Sequence, residues 1–111
     1  GFALKYNQQE CAKIADHLNQ TLPMKVDQQT TLVSTTCSVA KDYVTFIYSY
    51  KLNFKPIINL PSDFKAKVIK KFCSNSDTRE FLKGLSRVHM DYYLEDGTFY
   101  EKIQFSEENC N

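Results

Sequence analysis

The sequence has few glycines, no tryptophan and almost no net charge. Its 111 residues include three glycines, Gly1, Gly84 and Gly97, which lie far apart along the chain. A phosphate-binding loop or a dinucleotide-binding fingerprint needs several glycines close together, so nucleotide hydrolysis and dinucleotide-dependent redox chemistry are excluded. A formal net charge of +1 gives no general electrostatic field for nucleic acid or for an anionic membrane surface.

Long hydrophobic runs are also missing from the sequence. No stretch of 18 apolar residues occurs, so we expect no transmembrane helix. The N-terminus has no signal-peptide pattern either. We interpret the chain as a mature fragment whose export signal has been removed.

The apolar and aromatic residues, in contrast, are typical of a folded chain. Apolar residues make up 42% of the sequence, and the seven Tyr and eight Phe are more aromatic residues than a disordered chain carries. A chain of this length buries roughly 65% of its unfolded surface, which is enough for one core. We therefore expect a single domain over residues 1–111.

Four cysteines indicate the compartment. Cys11, Cys37, Cys73 and Cys110 form no CxxC or CxH cluster, so zinc and iron–sulfur sites are not expected. They can form two disulfides, with three possible connectivities, or remain four buried thiols. We favour disulfides, because small exported domains use them for stability, and we expect an oxidising location: the periplasm, the cell surface or the medium.

Residue spacing favours one of these connectivities. Cys11 belongs to the apolar stripe of a predicted helix, and Cys37 lies on one face of a predicted strand together with Val33, Thr35 and Val39. If that helix packs on that face, the two sulfur atoms can meet. Cys73 and Cys110 would then tie down the C-terminus, although the sequence leaves open whether Cys11 and Cys37 are bridged.

The pattern of helix caps, turns and β-branched residues predicts an α+β fold. Asn7 is a good N-cap, Pro23 stops the first helix, and Asp96-Gly97 is a strong hairpin turn. We predict helices over residues 7–21, from Pro61, and over 77–83, and strands over 30–40, 43–52, 85–94 and 98–105.

This order, α-ββ-αα-ββ, predicts an antiparallel sheet of four or five strands with helices packed on one face. Alternation along the strands assigns apolar side chains to the covered face and a mixed polar and aromatic set to the other. The predicted covered set is Val44, Phe46, Tyr48, Tyr50, Val88, Met90, Tyr92, Ile103 and Phe105.

No group of residues points to catalysis. His89 and Asp91 share a strand face, but neither a nucleophile elbow nor a glycine-built oxyanion site accompanies them. The paired carboxylates Glu95 and Asp96 lie at a predicted hairpin tip, where there is no cleft for them. We therefore predict no enzyme activity, no cofactor and no metal. The lysines of the second helix are expected to form a solvated face, and we expect no nucleic-acid partner.

Several segments together resemble the beta-type (AspS-like) pilotins of bacterial type II secretion systems. The likeness lies in an N-terminal helix running into LNQTLPMKVDQQTTLVS (residues 18–34), a hairpin, and a helix ending at Cys73. It continues with DTREFLKGLSRVHMDYYLEDG (residues 77–97), a last strand, and a cysteine one residue from the C-terminus. The resemblance covers nearly the whole chain, through loose patterns of apolar residues, one glycine and two cysteines.

The resemblance implies a periplasmic adaptor, anchored by a lipid on an N-terminal cysteine that is lost from this fragment. Such pilotins bind the C-terminal helical segment of a secretin subunit and deliver it to the outer membrane. The resemblance also implies a disulfide between Cys73 and Cys110, whereas Cys11 and Cys37 depart from the family's one-disulfide pattern. The alternatives are an uncharacterised secreted or periplasmic binding protein and a cystatin-like inhibitor, although the sequence has neither a QxVxG hairpin nor a Pro-Trp loop.

We accordingly predict that the protein binds a protein segment, most simply an amphipathic helix, in an apolar groove beside the sheet. Phe64, Val68 and Phe72 on the second helix, and Phe81 and Leu82 on the third, are the predicted groove walls. Packing in the core is the alternative role for each of them. A periplasmic or outer-membrane-associated location is expected, with a secreted location as the alternative.

Overall fold

A computed structural model describes residues 6–53, 63–84 and 86–110. Within these residues no helix is both long enough and apolar enough to cross a membrane. The predicted α+β class and the order of elements are confirmed, with one additional two-residue strand near the N-terminus. The elements are α1 (Gln8–Asn19), β1 (Met24–Lys25), β2 (Thr30–Val39), β3 (Val44–Leu52), α2 (Phe64–Ser74), α3 (Ser76–Phe81), β4 (Ser86–Leu94), β5 (Phe99–Ser106) and a 3-10 helix (Glu107–Cys110).

Helix α1 begins at the predicted residue for a physical reason that the structure shows directly. The Asn7 side chain accepts a hydrogen bond from the Glu10 N–H at 2.8 Å, and the Glu10 carboxylate accepts one from the Asn7 N–H at 3.2 Å. This reciprocal pair satisfies two backbone donors that the first helical turn leaves free. α2 starts after Asp63, whose side chain makes no capping hydrogen bond.

The predicted second hairpin is present between β4 and β5. Gly97 has a φ of +88°, and its N–H donates to the Leu94 carbonyl at 2.9 Å. Only glycine adopts this backbone conformation without steric cost, which is why the Asp96-Gly97 pair predicted the turn. Gly84, with a φ of +73°, follows the end of α3 in the same left-handed region.

The five strands form one sheet in the order β1-β2-β3-β4-β5. The pairs β1–β2, β2–β3 and β4–β5 are antiparallel as predicted, but β3 and β4 run parallel, which corrects the prediction of a purely antiparallel sheet. The cause is the connection: α2 and α3 carry the chain back before β4 begins. A helical crossover is what parallel neighbours require.

The predicted covered face is the core of the molecule. Eight of the nine residues assigned to it are buried, and Tyr48 is half-buried. The helices pack on this same face through edge-on ring contacts: Phe81 lies 5.2 Å from Phe46, Phe64 lies 5.5 Å from Tyr92, and Phe72 lies 5.0 Å from Phe105.

One face assignment in β2 was wrong. Val33 is 38% exposed, whereas Thr35 and Cys37 are buried as predicted. The register of β2 against β3 shifts between Leu32 and Ser34, and this bulge takes Val33 out of the alternation. A single extra residue reverses the face of every residue on one side of it.

Both disulfides join elements that the sequence places far apart. Cys11 on α1 is bonded to Cys37 on β2, with Cα atoms 5.2 Å apart, and Cys73 on α2 is bonded to Cys110 in the 3-10 helix, with Cα atoms 5.5 Å apart. The predicted connector over residues 53–60 and the predicted helix start at Pro61 and Ser62 lie largely outside the described residues.

Candidate functional site

A groove of about 370 Å³ opens between α2 and the covered face of the sheet. Three parts of the chain line it: the face of β3 and β4, one side of α2 with the start of α3, and the turn between β1 and β2. Its lining residues are Val26, Asp27, Thr30, Tyr48, Tyr50, Phe64, Val68, Lys71, Phe72, Asn75, Thr78, Met90 and Tyr92.

The groove exists because the helices do not cover the whole face. α1 packs on β2, where the Thr35 hydroxyl donates to the Ala15 carbonyl at 3.3 Å, and α2 packs over β4 and β5. Tyr48 lies across from Thr35 on β3, and Tyr50 lies across from Leu32. The groove therefore lies over the part of the β3 face between these two helices.

A row of aromatic rings forms the apolar surface of the groove. Tyr50 stacks on Tyr92, with ring centroids 4.8 Å apart and planes 14° apart, and Tyr48 lies 6.5 Å from Tyr50. Phe64 meets Tyr92 edge-on at 5.5 Å. Tyrosine combines a large apolar body with a polar hydroxyl group, so this row can contact apolar side chains and also donate hydrogen bonds.

These tyrosines are uncharged under ordinary conditions. Burial raises the pKa of Tyr48 to about 12, and burial, followed by the nearby Asp27 carboxylate, raises the pKa of Tyr92 to about 12. Burial, with smaller contributions from Tyr92 and Tyr48, raises the pKa of Tyr50 further still. Because a buried phenolate is poorly solvated, the groove surface keeps neutral hydroxyl donors. Among the described lining residues, Asp27 and Lys71 are the ones that carry a formal charge.

Three of the five predicted wall residues lie together in this groove. Phe64 and Val68 are half-buried, and Phe72 is 8% exposed. Phe81 and Leu82 do not line it: Phe81 packs edge-on against Phe46, and Leu82 is 1% exposed within the core. The core role that the sequence left open fits these two residues, and the partner-binding role of the other three stays a prediction.

Several residues of the groove were not predicted as a site. Tyr48, Tyr50 and Tyr92 were predicted to face the core, and they do: Tyr50 and Tyr92 are buried, Tyr48 is half-buried, and all three also line the groove. Val26 and Asp27 belong to a turn that carried no functional signal, although Val26 is 46% exposed. An exposed valine beside an aromatic row is consistent with a contact surface.

The other face of the sheet holds the residues considered for catalysis. Burial, followed by Lys102, lowers the pKa of His89. Asp91 Oδ1 lies 3.9 Å from Lys102 Nζ and accepts no hydrogen bond within the described part of the chain. Among the described residues, no three His, Cys, Asp or Glu side chains are grouped so that they could hold a metal ion.

Comparison with known proteins finds relatives of this chain by structure and not by sequence. No protein-family model matches the sequence, and a search of curated proteins also found no match. Solved structures do match this α+β fold, with TM-scores of 0.65 to 0.71. The matches have identities of 13% to 15%, so they show the fold alone.

Two of these structures are pilotins of type II secretion systems. EpsS of Vibrio vulnificus matches with a TM-score of 0.65 and 15% identity, over 94% of this chain and 91% of EpsS. AspS of Vibrio cholerae matches with a TM-score of 0.68 and 15% identity, over 93% of this chain and 91% of AspS. The predicted resemblance to AspS-like pilotins is confirmed at the level of the fold.

A third structure, from Pseudomonas aeruginosa, is described as a candidate secreted protein. It matches with a TM-score of 0.71 and 13% identity, and the match covers all of both chains. The same fold is therefore found in pilotins and in a protein that is not described as one.

Proposed function

We propose that the protein is an exported adaptor of the pilotin kind, which binds an amphipathic helical segment of a secretin in the groove beside α2. The observation that carries the proposal is the groove lined by the rings of Tyr48, Tyr50 and Tyr92, in a fold shared with two pilotins. Export is supported by the two disulfides. It is also supported by the similar solved structures, which are type II secretion pilotins and a protein described as secreted. A periplasmic location, a lipid anchor and delivery to the outer membrane belong to the same proposal.

The chemistry of the groove suits one face of a helix. An amphipathic helix places apolar residues at i, i+3, i+4 and i+7 along one stripe, and such a stripe fits an apolar groove with aromatic walls. The tyrosine hydroxyls can donate hydrogen bonds at the edge of that stripe. Lys71 and Asp27 give the rim both signs of charge, so a segment that carries both acidic and basic residues beside its apolar stripe is the expected partner.

Direct binding tests the proposal. A fluorescently labelled peptide with the C-terminal segment of the secretin from the same organism is titrated with the oxidised protein, and binding is followed by anisotropy. We expect saturable binding that Val68→Glu weakens at least about tenfold, because a carboxylate would have to be buried against the apolar segment. Ala66→Glu is the matched control, since Ala66 is exposed on α2 and does not line the groove.

The controls separate binding from folding. Both variants must keep the near-ultraviolet circular dichroism of the parent protein. Equal binding by a folded Val68→Glu variant would show that the peptide does not occupy the groove. If the parent protein fails to bind the peptide and recovers no secretin from a membrane extract of its source, the pilotin assignment is wrong, and an exported binding protein with another partner remains.

A further inference from the structure

The outer edge of β2 is only partly covered by a neighbouring strand. β1 pairs with β2 at Thr31 and Leu32 alone. In the described part of the chain, residues 33–39 of β2 have β3 on one side and no strand on the other. An edge of this kind exposes unpaired backbone N–H and C=O groups, which are a template for pairing with another strand.

Two side-chain amides of α1 occupy the place of the missing strand. Asn19 Oδ1 accepts from the Thr35 N–H at 2.8 Å, and Asn19 Nδ2 donates to the Thr35 carbonyl at 2.9 Å. Gln8 Oε1 accepts from the Val39 N–H at 2.9 Å, and Gln8 Nε2 donates to the Cys37 carbonyl at 3.2 Å. A primary amide carries the same donor and acceptor as a peptide group, so each side chain replaces one residue of a strand.

The position of α1 fixes these amides against the edge. The disulfide between Cys11 and Cys37 joins α1 to β2 at a point between the two amide contacts, and Cys11 is fully buried. The single proton of the Thr35 hydroxyl is within reach of two acceptors on α1, Asn19 Oδ1 at 2.9 Å and the Ala15 carbonyl at 3.3 Å. These contacts hold both amides against the backbone of the edge.

Side chains also accept hydrogen bonds from backbone N–H groups at the opposite edge of the sheet, on β5. On β5, the Lys102 N–H donates to the Glu101 carboxylate at 2.9 Å, and the Ser106 N–H donates to the Asn109 side chain at 2.9 Å. Side chains of the chain itself therefore satisfy backbone groups on both outer strands. The β2 edge is thus not the only place where side chains take up backbone groups at the border of the sheet.

The exposed part of β2 has the composition of a segment that pairs with its own copies. Residues 30–40, TTLVSTTCSVA, contain no charge, no proline and no glycine, and β-branched residues are frequent. Such segments are prone to self-pairing, because nothing in them opposes a second identical strand. Val33 adds an exposed apolar side chain to the edge.

We propose that the edge of β2 at residues 33–39 is a pairing surface for a second copy of this chain, and that Gln8 and Asn19 keep it closed. When the two amides are removed, two molecules can pair through antiparallel β2 strands about a two-fold axis. The inference does not depend on the secretin proposal, because neither amide lines the groove.

The double variant Gln8→Ala/Asn19→Ala tests this inference. In dilute, monomeric protein we expect the amide hydrogens of Thr35 and Val39 to exchange at least about tenfold faster than in the parent protein. Sedimentation velocity from micromolar to millimolar concentration should then show a dimer that the parent does not form. Gln9→Ala/Gln20→Ala is the matched control, since both glutamines are exposed on or next to the same helix.

A third variant identifies the surface that pairs. Adding Thr36→Lys to the double variant places a charge on the exposed part of β2 and should restore the monomer, since like charges oppose strand pairing. Unchanged exchange at Thr35 and Val39 would overturn the closing role of the amides. A double variant that exchanges faster but stays monomeric, or a dimer that Thr36→Lys leaves intact, would overturn the pairing surface. If the double variant does not fold, Asn19→Ala alone is tested by the same criteria.

Discussion

At the scale of single residues, Tyr92 is part of the core and also lines the groove. It is 4% exposed, stacks on Tyr50 and receives the edge of Phe64, and its hydroxyl donates to Met90 Sδ at 4.0 Å. A long contact to sulfur is a weak hydrogen bond. The ring is therefore expected to contribute much more stability than the hydroxyl group.

Substitution at Tyr92 separates these two contributions. Tyr92→Ala should lower the free energy of unfolding by about 3–5 kcal/mol, because it leaves a cavity in the core. Tyr92→Phe should lower it by about 1 kcal/mol or less, because only the weak hydrogen bond is lost. Urea unfolding of the oxidised protein measures both. Equal losses in the two variants would assign the stability to the hydroxyl group.

The buried phenols also predict how stability changes with pH. The pKa values of Tyr48 and Tyr92 are raised from 10.0 to about 12 by burial, so the folded state holds these protons where the unfolded state has released them. The contribution of these two phenols to the free energy of unfolding is complete below pH 10 and is lost as the pH rises toward 12. Urea midpoints measured across this range should fall with pH, and Tyr48→Phe should make the fall less steep. An unchanged slope in that variant would show that Tyr48 titrates normally.

At the scale of helices and strands, the sequence predicted the helix cap and the hairpin turn, which depend on neighbouring residues. Asn7 and Glu10 cap α1, and Gly97 closes the second hairpin, because each of these features depends on residues only a few positions apart. The bulge beside Val33 and the parallel pairing of β3 with β4 could not be predicted in this way. Both depend on how distant segments pack, and the sequence of a single strand does not contain that information.

The cap of α1 gives a prediction at this scale. Asn7→Ala should destabilise the protein by about 1 kcal/mol, because the Glu10 N–H then loses its partner. Asn7→Ser should recover most of that loss, since serine also accepts a hydrogen bond at an N-cap. Thermal unfolding compares the two variants. If alanine and serine give the same midpoint, the cap does not stabilise the folded protein.

At the scale of the whole molecule, the candidate site shows where sequence reasoning ends. Phe64, Val68 and Phe72 were predicted as groove walls because they form one stripe of α2. The opposite side of the groove could not be predicted, because it depends on how the sheet and the turn at Val26 lie relative to α2. The groove is formed by segments that are far apart in the sequence, so no single stretch of residues predicts it.

The two disulfides differ in exposure, which predicts the order of their reduction. Cys11 and Cys37 are 0% and 7% exposed, whereas Cys73 and Cys110 are half-buried. Reduction begins with attack by an accessible thiolate, so increasing dithiothreitol should open Cys73–Cys110 first. Alkylation and mass spectrometry at each concentration identify the opened pair. Simultaneous opening of both pairs would mean that the molecule unfolds before either disulfide is attacked.

Loss of a disulfide should also weaken the whole fold. Cys11→Ala/Cys37→Ala and Cys73→Ala/Cys110→Ala should each lower the free energy of unfolding by roughly 3.5 to 4 kcal/mol in the chain-entropy model. Urea unfolding under oxidising conditions measures both losses. A loss near zero for either pair would show that the native contacts alone hold its two elements together.

The parallel pairing of β3 with β4 also sets the order in which the chain can fold as it emerges from a ribosome or a translocation channel. β3 can pair with its second neighbour only when residues 86–94 are available. About a third of the chain separates these two strands, so their contacts form late. Cys73 likewise waits for Cys110. The complete sheet and the second disulfide therefore require nearly the whole chain, whereas α1, β2, β3 and the first disulfide require only residues 8–52.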